Sequence, residues 1–161
     1  MSLFRTAVST CTLLALYACG FQMRAAPTVP SLMSSTYIET ADRYSLFYRK
    51  LQSELQLAGV TVVDSRSEAT AVFSILNDDT DQRVLSVSAR NVPREYEVYY
   101  TVYYSLQANN ASLLEPQLQT GTRDYTYDET RVLGKSREEE LLREAIVDEL
   151  VRIVLIQLSA L

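Results

Sequence analysis

From Glu95 to Gln107 the chain reads EYEVYYTVYYSLQ, and alternate residues fall into two sets. Tyr96, Val98, Tyr100, Val102, Tyr104 and Leu106 lie on one side, and Glu95, Glu97, Tyr99, Thr101, Tyr103 and Ser105 on the other. A period of two with one strongly apolar side marks a half-buried strand. Asn109-Asn110 starts a loop, and Leu118 to Tyr127 reads as a partner strand on which Gln119, Gly121, Arg123, Tyr125 and Tyr127 share a face. Upstream, shorter runs predict strands at Thr36–Glu39, Val60–Val63, Ala71–Leu76 and Val84–Arg90. Asn77-Asp78-Asp79-Thr80-Asp81 has the composition of a turn between the last two, and Asn91-Val92-Pro93 that of a bend in an edge strand.

Two segments repeat at helical spacing instead. Between Asp42 and Ala58, Tyr44, Phe47, Tyr48, Leu51, Leu55 and Ala58 form a stripe, with Thr40 or Asp42 as cap and Gly59 as terminator. From Ser136, a capping-box pattern with Glu139 opens a helix whose stripe is Leu142, Ile146, Leu150, Ile153 and Val154. Glu144, Asp148 and Arg152 recur every four residues on its other side, and its end from Val151 to Leu161 is apolar nearly all round. The order β-α-β-β-β-β-β-α predicts an α+β fold: a two-layer sandwich whose mostly antiparallel sheet is covered on one face by two helices. The second sheet face then meets solvent or a partner.

The N-terminus has one positive charge, Arg5, and then an apolar or small run from Ala7 to Tyr17. Such a run is too short to cross a bilayer, which takes roughly 20 helical residues. It matches the apolar region of a secretory signal peptide. It ends Leu16-Tyr17-Ala18-Cys19, which resembles a bacterial lipobox, with Tyr17 bulkier than that pattern usually has. The bland alternative is an ordinary signal peptide with a chance cysteine. On the lipobox reading, residues 1–18 are a lipoprotein signal peptide and 19–35 a lipidated N-terminus and Pro-interrupted tether, leaving 36–161 as the folded domain. Cys11 leaves with the signal, so the mature chain has one cysteine and no internal disulfide. Acylation of Cys19 would remove an exposed thiol and give a stable anchor, at about 0.8 kcal/mol per buried CH₂.

About 140 residues then remain, the size of one domain. Charged residues make up 22% and hydrophobic ones 47%, enough for a real core. The net charge of −5 argues against a broad nucleic-acid surface. The chain has no histidine, no GxSxG or SxxK motif, and four scattered glycines that build no phosphate loop. The acidic run at 77–81 lacks the glycine and distal glutamate of a calcium loop. No enzyme, metal or cofactor is expected beyond a covalent lipid on Cys19. Of the tyrosines, Tyr100 and Tyr104 read as core. Tyr99 and Tyr103 fit either cross-strand packing or an interaction surface, because tyrosine combines contact area with a polar tip.

Several stretches coincide with one family. Cys19-Gly20-Phe21-Gln22-Met23-Arg24 resembles the start of the mature LptE-family lipoproteins. Ser86 to Arg90 followed by Arg94-Glu95-Tyr96-Glu97-Val98 resembles a second region of that family. Arg123-Asp124-Tyr125-Thr126-Tyr127-Asp128, then Val132-Leu133-Gly134-Lys135 and Glu138-Glu139, resembles a third. The resemblance implies a non-enzymatic outer-membrane lipoprotein, on the periplasmic side, that sits as a plug within the lumen of the LptD β-barrel. It further implies help with barrel assembly and with delivery of lipopolysaccharide to the outer leaflet. By motif, Arg90 and Lys135 become the lipopolysaccharide-binding basic pair, with solvated surface charge as the bland alternative for each. An auxiliary lipoprotein of an ABC-type lipid transport system is the competing expectation, and a lipid hydrolase with a reactive serine a third.

Overall fold

A computed structural model describes residues 29–109, 111–127 and 132–161, with side chains given throughout except at 132–136. The signal segment and Cys19 lie outside the described residues. The order is β1 (Ser35–Glu39), α1 (Leu46–Leu57), β2 (Thr61–Val63), β3 (Ala71–Val87), β4 (Pro93–Ala108), β5 (Ala111–Thr126) and α2 (Val132–Leu158). The strands form one sheet in the order β2-β1-β3-β4-β5. β3, β4 and β5 are an antiparallel meander, whereas β1 pairs in parallel with both β2 and β3. Parallel neighbours need a crossover connection, and α1 supplies it between β1 and β2. The α+β sandwich with both helices on one face is therefore the architecture.

The expected turn at Asn77–Asp81 is not a turn. These residues form the middle of β3, paired one for one with Tyr103 to Tyr99 of β4. A register shift between Ile75 and Asn77 leaves Leu76 as a bulge, so the inward phase passes from Ile75 to Asp78. Pairing then holds the polar stretch in place. Thr80 Oγ1 donates to the Tyr99 carbonyl at 2.8 Å, and the Tyr100 hydroxyl donates to Asp78. The actual reversal is Ser88–Val92, where Ser88 N–H meets the Val92 carbonyl at 2.7 Å and Asn91 takes a φ of 62°. Asparagine tolerates that left-handed region better than most residues. Consequently Arg90 lies in the turn, and Pro93 opens β4 instead of bending an edge strand. β5 begins at Ala111, well before the expected Leu118. It carries Pro116, tolerable because β5 is an edge.

Both helix starts also differ from expectation. α1 is capped by Ser45, whose Oγ accepts the Tyr48 N–H at 3.1 Å. Asp42 instead accepts the Tyr44 N–H at 2.7 Å within the preceding loop, which leaves Tyr44 exposed. The Gly59 terminator is as expected: φ is 86°, and Val60 N–H reaches back to the Leu55 carbonyl at 2.9 Å. α2 starts at Val132, four residues ahead of Ser136, so Ser136 is inside the helix rather than its cap.

Phe47, Leu51 and Leu55 of α1 and Ile146, Leu150, Val154 and Leu158 of α2 meet Phe73, Val98, Val102, Tyr104 and Leu106 of the sheet in one core. Gly121 of β5 allows α2 to come close, since a Cβ there would lie 2.6 Å from Ile146 Cγ2. Met33, ahead of β1, is fully buried, so the packed domain begins a few residues before the expected boundary at 36.

Candidate functional site

The meander gives the sheet two chemically different faces. Along β4, Val98, Tyr100, Val102 and Tyr104 turn toward the helices, and Glu97, Tyr99, Thr101 and Tyr103 turn away. In register, Tyr99 stands between Asp81 and Thr122, and Tyr103 between Asn77 and Leu118. Leu76, Tyr103 and Leu118 are exposed and form an apolar patch within a polar field. Around it, Thr101 and Thr120 share a side-chain hydrogen bond at 3.1 Å, and Arg83 pairs with Glu97 at 2.6 Å. Tyr99 and Tyr103 thus occupy the uncovered face, as the alternation requires.

Several polar side chains of the covered face are paired, while Asp78 Oδ2 is buried without a hydrogen-bond partner. Tyr104 donates to Gln157 of α2 at 2.5 Å, and Gln157 donates on to Gln117 at 2.5 Å. Tyr125 donates to Gln82 at 2.9 Å. Burial pushes the Tyr100 phenol well above its ordinary value, and the hydrogen bond to Asp78 pushes it further. Burial likewise raises Tyr104 and Tyr125. Between the helices, Lys50 meets Asp148 at 2.8 Å and is raised chiefly by that bond. These are packing devices, and among the described residues no group of three or more His, Cys, Asp or Glu side chains could hold a metal ion.

The second region is the far end of the meander. The β3–β4 reversal carries exposed Arg90, and Val84, Leu85 and Val87 beside it are exposed apolar residues. At its base Tyr96 stacks on Tyr125 at 5.6 Å and meets Tyr127 edge-on at 5.5 Å. Glu95 pairs with Thr126, and Tyr127 N–H reaches the Arg94 carbonyl at 2.6 Å. The chain enters α2 just beyond this point, so topology brings Arg90 and the first turn of α2, with Lys135, to one end of the molecule. The Lys135 side chain is outside the described residues. The apolar tip at 84–87 was missed in the sequence because the run was read only as a strand. The available signal was length: β4 needs an equally long partner, so β3 must continue past residue 81.

A family model described as "Lipopolysaccharide-assembly" matches residues 33–158, nearly the whole described chain. The chain belongs to the LptE family. Among curated relatives, it is similar to the LPS-assembly lipoprotein LptE of Yersinia enterocolitica, at 25% identity over 81% of this chain and 63% of that protein. The LptE of Yersinia pestis matches at 23% over the same shares. The chain therefore spans just under two thirds of these relatives. Among solved structures, lipoprotein B of Nitrosomonas europaea superimposes with a TM-score of 0.72 at 28% identity, covering 88% of this chain and 91% of that one. The rare lipoprotein B of Shewanella oneidensis gives 0.68 at 25%, covering 78% and 94%. The LptE-family fold is thus shared along nearly the full length of both solved lipoproteins.

Proposed function

We propose that this LptE-family protein is a non-enzymatic, lipid-anchored component of lipopolysaccharide assembly. It plugs the lumen of an LptD-type outer-membrane β-barrel, assists the barrel's assembly and helps pass lipopolysaccharide to the outer leaflet. The observation that carries this reading is the uncovered sheet face. Tyr99, Tyr103, Leu76 and Leu118 stand there among threonines and charges, the mixture of anchors and polar surround found in protein interfaces. Residues 1–18 are the signal peptide, Cys19 carries the lipid, and the segment after it tethers the domain on the periplasmic side of the outer membrane. Arg90 and Lys135 engage lipopolysaccharide phosphates by charge-assisted hydrogen bonds. Val84, Leu85 and Val87 offer apolar contact beside Arg90.

The test is purification of the acylated chain from outer membranes in mild detergent. A stoichiometric β-barrel is expected. Capture of inner-membrane transporter subunits would replace the reading with that of an auxiliary lipoprotein of an ABC-type system, and a partner-free monomer would sink it. Arg90→Glu with Lys135→Glu should lower lipopolysaccharide affinity about tenfold or more, from ~1.5–3 kcal/mol per charged hydrogen bond, with the barrel complex intact. Unchanged affinity would remove the basic-pair assignment.

A further inference from the structure

The middle of β3 is displaced by one residue against β4. Ile75 stands opposite Tyr104, yet Asn77 stands opposite Tyr103, so Leu76 has no partner across the ladder. A second slip between Val84 and Ser86 leaves Leu85 unmatched in the same way. Between the two slips, directly opposite residues share a face. Asp78, Thr80 and Gln82 therefore stand on the covered side, against Val102, Tyr100 and Val98. Asn77, Asp79, Asp81 and Arg83 stand on the uncovered side, against Tyr103, Thr101, Tyr99 and Glu97. Had the register of Ile75 simply continued, Asp79 would face Tyr100 and Asp81 would face Val98, both of them buried. Two carboxylates would then turn toward the core in place of one, at a high desolvation cost.

We propose that Asp78, Thr80 and Gln82 are a register lock, which holds the β3–β4 hairpin one residue out of its continuous register and so decides which charges the uncovered face presents. Each of the three has a partner that fits only the slipped register. Asp78 accepts from the Tyr100 hydroxyl, Thr80 Oγ1 donates to the Tyr99 carbonyl at 2.8 Å, and Gln82 accepts from the Tyr125 hydroxyl at 2.9 Å. The ion pair of Arg83 with Glu97 at 2.6 Å belongs to the same register, since the continuous one would bring Gln82 opposite Glu97. Asp78 serves position more than strength. Its Oδ2 is buried without a hydrogen-bond partner, a standing cost that an apolar side chain would not carry. Polar groups placed in a core at such a cost are best attested as devices that fix register. A one-residue slip turns every side chain of a strand to the other face, so the lock sets the whole stretch from Asn77 to Val84 at once. It is a property of the hairpin and holds whether or not the uncovered face meets a barrel.

The test is nuclear magnetic resonance of the isotope-labelled mature chain in detergent micelles, read through backbone contacts across the two strands. The slipped register gives contacts of 79 with 101 and of 81 with 99, and the continuous one gives 79 with 100 and 81 with 98. Asp79→Val with Asp81→Val makes the continuous register acceptable to the core. Made together with Tyr100→Phe and Tyr125→Phe, this variant should show the continuous contacts as the major set. With both hydroxyls kept, the continuous share should be lower by about tenfold or more, from the hydrogen bonds retained. Slipped contacts alone in the four-residue variant, or equal shares in the two variants, would overturn the proposal. Should the valine variants fail to fold, Tyr100→Phe with Tyr125→Phe alone decides by amide hydrogen exchange. Protected amides between 77 and 84 should then exchange about tenfold faster or more, and unchanged protection there would sink the lock.

Discussion

Tyr103 and Tyr104 are neighbours on one strand and meet opposite environments. Tyr104 is fully buried, stacked on Phe73 at 5.4 Å with its hydroxyl spent on Gln157, whereas Tyr103 is 37% exposed beside Leu118. The same side chain is core on one face and contact surface on the other, and only strand phase decides which. Tyrosine content by itself therefore says little about function here; position in the pleat says much more.

The sharpest way to break this contrast is truncation on each side. Tyr104→Ala should cost about 3–5 kcal/mol in urea unfolding, the usual range for a large aromatic lost from a core. Tyr103→Ala should stay within about 0.5 kcal/mol, as surface changes do. Similar losses would mean that the uncovered face is itself part of the core. Next in size, Gly121→Val should destabilise by about 1–3 kcal/mol, because its Cβ meets Ile146, a β-branched side chain with little room to turn. Thr120→Val, one residue away on the uncovered face, should cost markedly less in the same assay.

Alkali offers a gentler probe of the two faces. Tyr100, Tyr104 and Tyr125 hold their protons more tightly when folded than when unfolded, where a phenol titrates near 10. Below that pH their contribution is constant. Above it the unfolded chain gives up protons that the folded chain keeps, so stability falls as pH rises toward the folded values. Tyr100→Phe should flatten that fall in unfolding measured from pH 9 to 11. Ser45→Ala should cost about 1 kcal/mol in the same unfolding assay, from the lost cap of α1.

Much of the covered face was legible because burial writes a period into the sequence. The strict alternation of 95–107 and the helical stripe of α2 identified the inward residues that are found in the core. Asn77–Asp81 was misread because its composition is that of a turn, while the strand pairing that overrides composition is a long-range effect. The α1 start was misplaced because Thr40, Asp42 and Ser45 can all cap, and only the fold chooses among them. Arg90 was expected as the last residue of a strand and instead lies in the turn after Val87, with Asn91 in the left-handed region, a displacement that follows from the same misreading.

The mixed pairing of the sheet has a further consequence, for the order of assembly. β4 is joined to β3 and β5 by short reversals, so its ladders can close locally. β1 must find β3 across 35 residues, Thr36 against Ala71. Loop closure becomes costlier with separation, and topologies with distant contacts fold more slowly. The meander is therefore expected to zip first and β1, with Met33 behind it, to dock last. In a chain that emerges N-terminus first, the earliest segment to appear would be the latest to settle.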